Sequence, residues 1–219
     1  YRGERVINWC PRCSTALSDL EVKHTDESGQ LYYIRYKFEN ENGYLTVATT
    51  RPETLFGDPG VAINPKDSRY QNISGKRVIL PIIERPIPII VDEAVDKSFG
   101  SGALKVTPGH DATDFEIGQR KGLSVLNVMN LDGTLNEEAG PYSGWDRYQA
   151  RHAIVDQLRL EGLLERVEDH QMALGHCTRC DTIVEPIISK QWFVQTKPLA
   201  IRGINVVKEQ KIKIIPKRF

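Results

Sequence analysis

Tyr32, Ile34, Tyr36 and Phe38 alternate with Leu31, Tyr33, Arg35 and Lys37, the period of two expected of a half-buried strand. The polar run Glu39-Asn40-Glu41-Asn42-Gly43 follows and ends in Asn-Gly, and a second β-prone run covers Tyr44 to Thr50, so residues 31–50 predict a hairpin. Further short apolar runs predict strands at Arg77–Ile83, Ile87–Val91, Ala103–Thr107, Val125–Met129 and Lys211–Ile215. Pro81, Pro86, Pro88, Gly100 and Gly102 punctuate them. Helical spacing is rarer. Asp146 is a good N-cap with Gln149 three positions on, Ala150, Ile154 and Leu158 recur every fourth residue, and Gly162 ends the pattern. A shorter helix is predicted from Asp111 to near Gly122. Many short strands and few helices give an α+β fold with a barrel-like or strongly curved sheet at its centre.

Composition narrows the setting. Hydrophobic residues make up 40% and charged residues 26%, and no apolar run approaches the roughly 20 residues needed to span a bilayer. The opening YRGERVINWCPRC carries neither an initiator methionine nor a signal-peptide core, so the chain reads as a piece of something longer. Lys plus Arg equals Asp plus Glu at 29 each, which leaves no global field for a polyanion. Basic residues do gather near the end, where Arg202, Lys208, Lys211, Lys213, Lys217 and Arg218 face only Glu209. This cluster suits either a solvated connector or a nucleic-acid contact.

All four cysteines fall in two C-x-x-C pairs, Cys10/Cys13 and Cys177/Cys180. Two such turns can aim four thiolates at one tetrahedral ion, a closed structural zinc site; two disulfides or a redox pair are the competing readings. Because the pairs lie at opposite ends, a zinc-ribbon-like base would be assembled from residues 1–22 and 170–195. Residues 23–169 would then form the inserted core and 196–219 a connector.

The stretch KVTPGHDATDF, Lys105 to Phe115, is densely functional. His110 beside Asp111 and Asp114 could be a metal cluster, the two aspartates could cap a helix, or the group could clamp a charged substrate. One histidine without a second at ligand spacing argues against a catalytic metal.

NWCPRCSTALSDLEV (8–22), ATTRPETLFGDPGVAINP (48–65), GSGALKVTPGHDATDFEIG (100–118) and CTRCDTIVEPIISKQWFV (177–194), in that order, closely resemble the editing insertion of class I valyl-tRNA synthetases. With the intervening spacing, the resemblance covers essentially the whole chain. The HIGH-type and KMSKS-type signatures of synthetic active sites are absent from the sequence, so this stretch is not expected to activate an amino acid. KIKIIPKRF resembles a return strand toward a catalytic domain.

The resemblance implies a second sieve. A pocket built for valine cannot strongly reject threonine, so a separate site accepts threonine through its hydroxyl and hydrolyses its ester to the tRNA. The implied catalytic residues are Asp111, Lys105 and Thr107, with Asp111 on the substrate ammonium and Lys105 and Thr107 around the ester and sugar. Asp114 lies near the substrate hydroxyl, Arg51 near the nucleotide or carbonyl, and Phe99 on the terminal adenine, with Thr49, Thr50 and His110 completing the binding site. The partners implied are the 3′ end of tRNA(Val) carrying threonine and the rest of a parent synthetase, in the cytoplasm. A structural zinc on Cys10, Cys13, Cys177 and Cys180 is expected and a catalytic metal is not. A non-catalytic zinc-stabilised module binding the tRNA 3′ end, and an isoleucyl or leucyl editing domain, are the alternatives.

Overall fold

The computed structural model describes residues 1–216, which fall into two units, residues 5–188 and a smaller one combining residues 1–4 with 189 onward. In chain order the elements are β1 (Arg2–Cys10), β2 (Thr15–Leu17), β3 (Val22–Phe38), β4 (Tyr44–Thr49), β5 (Gly60–Ile63), β6 (Arg77–Leu80), β7 (Arg85–Val91) and β8 (Ala103–Val106). There follow α1 (Ala112–Lys121), α2 (Arg147–Leu160), β9 (Leu164–Cys177), β10 (Glu185–Trp192) and α3 (Thr196–Lys208). The fold is mixed α+β with a strand majority.

The larger unit is built on a seven-stranded sheet ordered β4-β3-β6-β7-β5-β8, with β9 also paired to β3. Its end strands β4 and β8 approach each other, so the sheet is curled into a partial barrel. The predicted hairpin is present, from Tyr32 opposite Thr49 to Lys37 opposite Tyr44, and Gly43 supplies the positive φ its turn requires. Tyr32, Ile34 and Tyr36 point into the main core with Leu45, Val47, Phe56 and Ile89. The opposite face is more covered than simple alternation predicts. Leu31, Tyr33 and Ala48 form their own buried cluster, the Arg166 guanidinium lies over the Tyr33 ring, and Tyr33 donates to Glu168 at 2.8 Å. That cover comes from β9, whose charged sequence LERVEDHQMALGHC carries no alternation that would announce a strand. It pairs antiparallel with β3 from Val22–Cys177 to Ile34–Leu164, forming a long ribbon between the barrel and the cysteines.

Both predicted helices form. Asp146 accepts from the amides of Tyr148 and Gln149 at the start of α2, and Asp111 accepts from the Asp114 amide at the start of α1. Gly122 closes α1 in the left-handed conformation. Ala150, Ile154 and Leu158 are fully buried against the sheet. Replacing Ile154 by Ala should therefore cost about 2–5 kcal/mol of stability, measured as a lowered urea midpoint at unchanged slope.

Two predicted strands do not form, and the β6 run stops early. At Val125–Met129 the Val128 amide donates to His110 and its carbonyl accepts from Asn136, so these backbone groups are committed to a side chain and a loop; only an isolated bridge, Met129–Leu135, remains. At Lys211–Ile215 the first amides, of Lys211 and Ile212, donate to the Val206 carbonyl and finish α3. β6 ends at Leu80 because Pro81 lacks an amide proton and Ile82 has φ near 70°.

In the smaller unit, the Tyr1 backbone nitrogen donates to the Phe193 carbonyl at 2.8 Å and the two rings stack at 5.6 Å. Arg202, Lys208, Lys211 and Lys213 are exposed there, as either reading of the basic cluster requires; Lys217 and Arg218 lie outside the described residues. Among the described residues no helix is long and apolar enough to cross a membrane.

Candidate functional site

A cavity of about 500 Å³ opens in the larger unit between the β8–α1 corner, the segment after β4, α2, and the strands flanking the second cysteine pair. Thr49, Thr50, Arg51, Phe99, Lys105, Thr107, His110, Asp111 and Asp114, distant in sequence, all line it.

Its floor is a buried polar network. Lys105 and Thr107 are two apart on one strand edge, so their side chains share a face. The Lys105 ammonium donates to Asp58 Oδ1 at 3.1 Å, to Thr54 Oγ1 at 3.0 Å and to Thr107 Oγ1; the Thr107 hydroxyl donates to Asp58 Oδ1 at 2.6 Å. Tyr36 donates to Asp58 Oδ2 at 2.9 Å. Asp58 is fully buried and Lys105 is 5% exposed, so the lysine is not the solvent-facing side chain that strand alternation alone favours. Burial pushes the Asp58 carboxyl upward, against the pull of Lys105 and Thr107.

One wall is the corner Thr49-Thr50-Arg51-Pro52-Glu53-Thr54. Pro52 begins a buried 3-10 turn that ends at Gly57, and the Thr49 hydroxyl accepts the Arg51 amide at 3.0 Å. The Arg51 guanidinium pairs with Glu53 at 3.1 Å and with Glu185. Glu53 also holds Arg151 of α2 at 2.8 Å. Burial alone would raise Glu53, but the two guanidiniums outweigh it and hold the carboxyl near 2.

The remaining side is the later part of the KVTPGHDATDF stretch, from His110 to Asp114. Asp114 is buried and its Oδ2 accepts the Thr107 amide at 2.8 Å, tying the helix start to the strand end. Asp111, exposed at the rim, uses Oδ1 for the Asp114 amide, so it is a helix cap with a second oxygen free of that duty. His110 is 3% exposed, and its Nε2 accepts the Val128 amide at 3.0 Å, which puts the ring proton on Nδ1. Burial, then Arg51 and Lys105, lower its pKa to about 3, so it is neutral. Phe99 is 46% exposed and meets His170 edge to face at 5.7 Å.

Burial, reinforced by the Asp111 carboxylate, raises Asp114 to about 7, against an ordinary 3.8. A raised acid favours the folded state below its unfolded pKa, and that contribution disappears as pH rises through the folded value. The stability of the wild type relative to Asp114→Asn should therefore fall between about pH 4 and pH 7 and level off above, read from unfolding midpoints across that window.

The four cysteine sulfurs lie within 4.8 Å of one another, with Cys10 and Cys180 at 3.5 Å. Four thiolates around one ion with bonds of about 2.3 Å would be roughly 3.8 Å apart, so the set fits a tetrahedral metal. The Cys13 amide donates to the Cys10 sulfur at 3.3 Å, and Cys10 and Cys177 are buried. This cluster could hold a metal ion.

The family of class I tRNA synthetases (I, L, M and V) matches residues 1–219. The chain belongs to that family. The whole of this chain is 52% identical to the valine--tRNA ligase of Dehalococcoides mccartyi and 53% identical to that of Carboxydothermus hydrogenoformans, covering 25% of each. It thus spans about a quarter of the length of these curated relatives. It also shares its fold with the crystal structure of the ternary complex of Agrobacterium radiobacter K84 agnB2 LeuRS, tRNA and LeuAMS. That likeness has a TM-score of 0.52 at 16% identity and covers 85% of this chain and 34% of that one.

Sequence reasoning missed Asp58, Glu53, Arg151 and Glu185. Each is an ordinary charged residue in its local context, and only Arg147 and Arg151, four apart on α2, carried a local hint of a shared face.

Proposed function

We propose that this synthetase chain is the editing domain of a valyl-tRNA synthetase, hydrolysing the ester that joins threonine to the 3′-terminal ribose of tRNA(Val), and acting on threonyl-adenylate by the same logic. The observation that carries this reading is the convergence of Asp111, Asp114, Lys105, Thr107 and Arg51 on one cavity. Identity of about half to valine--tRNA ligases over the full chain supports the valyl assignment.

In this reading Asp111 accepts the substrate ammonium with its free oxygen, and Asp114 receives the threonine hydroxyl, which valine cannot offer. Lys105 and Thr107 stand beside the ester and sugar, Arg51 beside the nucleotide or carbonyl, and Phe99 under the terminal adenine, with Thr49, Thr50 and His110 shaping the rest. Water attacks the ester carbonyl, the bond from that carbon to the ribose oxygen breaks, and the ribose oxygen takes a proton. Fixed donors in a partly dry site stabilise the charge developing on the carbonyl oxygen. The ester is already activated relative to an amide, so the reading needs no protein nucleophile and no catalytic metal.

The cysteine cluster is read as a structural zinc site at the base formed by residues 1–22 and 170–195, with 23–169 as the editing core and 196–219 as the connector to the parent enzyme in the cytoplasm. Incubating the chain and its parent synthetase with threonyl-tRNA(Val) and with valyl-tRNA(Val) tests the proposal. Threonine should be released well above the spontaneous rate and valine should not. A parent enzyme that leaves threonyl-tRNA(Val) intact overturns the reading.

A further inference from the structure

The polar wall of the cavity continues into an alternating row of charges, Arg147–Glu185–Arg51–Glu53–Arg151. Arg147 Nε lies 2.8 Å from Glu185 Oε1, and Glu185 Oε2 accepts Arg51. Arg51 Nε donates to Glu53 at 3.1 Å, and Arg151 reaches both Glu53 oxygens at 2.8 Å. The row begins and ends on α2; Arg51, Arg151 and Glu185 line the cavity, the two arginines each about a quarter exposed and Glu185 almost wholly covered. Glu185 is 3% exposed and Glu53 is fully buried; Glu53 is held by hydrogen bonds from Arg51 and Arg151, and Glu185 by a hydrogen bond from Arg51 and an ion pair with Arg147.

The Glu185 end adjoins the cysteines. Val184, its chain neighbour, packs in one buried cluster with Cys10, Leu17 and Cys177, and the Val184 amide donates to the Gly175 carbonyl at 2.9 Å. The first cysteine turn approaches the same place. Pro11 and the Arg147 guanidinium both pack against Gly133, and the Trp9 indole donates to the Leu131 carbonyl at 2.7 Å. Two C-x-x-C turns locked on one ion would thus hold Val184 from one side and the Arg147 surroundings from the other. Glu185 is the only carboxylate of the row adjacent in sequence to that packed cluster.

Resting on the editing reading above, we infer that Glu185 is a positioning residue that couples the four-cysteine cluster to the cavity by fixing Arg51. Metal bound at the cysteines orders residues 183–187, Glu185 passes that order to the guanidinium of Arg51, and Arg51 meets the substrate. The cluster therefore acts on the cavity as well as on the base of the fold.

The test compares wild type and Glu185→Gln, each with metal and after chelation, by metal content, by amide hydrogen exchange of residues 49–57 and 183–187, and by deacylation of threonyl-tRNA(Val). Glu185→Gln should keep wild-type metal content and the protection of the β3–β9 ribbon, yet lose protection at 49–57 and lose deacylation by at least about tenfold. Chelation should expose both segments and lower deacylation to a similar extent in the wild type. In the variant it should lower deacylation by less than about twofold further, because the coupling is already broken. Full additivity of the two effects, or unchanged protection at 49–57 in either case, overturns the inference. Should Glu185→Gln lose the metal or the ribbon, Arg51→Lys reads the same coupling from the cavity end, and chelation should again add less than about twofold. A wild type that shows the exchange coupling but never deacylates would overturn the editing reading and leave the coupling standing.

Discussion

Replacing Asp58 by Ala should destabilise the chain by about 3–5 kcal/mol, because it leaves the Lys105 ammonium buried without its counter-charge. Lys105 would retain only the hydroxyls of Thr54 and Thr107, and Tyr36 would lose its acceptor in a region closed to water. Lys105→Met should cost less. With its carboxyl already raised by burial, Asp58 can take up a proton and become neutral while still engaging Tyr36 and Thr107. The asymmetry between the two variants, read from urea midpoints at neutral pH, is the signature of a charge pair rather than of a packing defect. Equal losses would show that the network contributes by shape alone.

On the proposed assignment of the substrate ammonium to Asp111, Asp111→Ser should lower deacylation of threonyl-tRNA(Val) by roughly 30- to 1,000-fold, the loss expected when a charged acceptor is taken from an ammonium ligand. Serine is as good an N-cap as aspartate, so α1 should keep its start and stability should change little. Asp111→Ala should show the same loss of activity and an added loss of about 1 kcal/mol in stability, because the Asp114 amide then has no cap. Initial rates at saturating and limiting misacylated tRNA, beside unfolding curves of both variants, separate the two duties. Retained deacylation in Asp111→Ser would move the ammonium contact to Asp114. The rate in the wild type should also rise with pH through about 7, as Asp114 ionises.

Some of the fold was legible because the signal is local. The alternation of Tyr32, Ile34 and Tyr36, the Asn-Gly turn, and the caps Asp111 and Asp146 each depend on neighbours in sequence, and each element forms where those residues place it. The predicted strand at Val125–Met129 failed because its apolar pattern says nothing about which partner takes its backbone; His110 and Asn136 took it. β9 was illegible for the converse reason, since a charged sequence became a strand by pairing with β3 along its length.

The site divides in the same way. By itself the sequence determined the two C-x-x-C pairs, the dense KVTPGHDATDF stretch and the TTRPET corner, because motif spacing is a property of the chain. Tertiary structure decided that these converge, with four sulfurs within 4.8 Å of one another and nine candidate residues on one cavity. It also decided that Lys105 is buried against Asp58 and that Glu185 joins Arg51 to Arg147, neither of which any local pattern encodes. A charge far along the chain has no local signature of its partner; which carboxylate neutralises which cation is settled only when burial makes an unpaired charge too costly to keep.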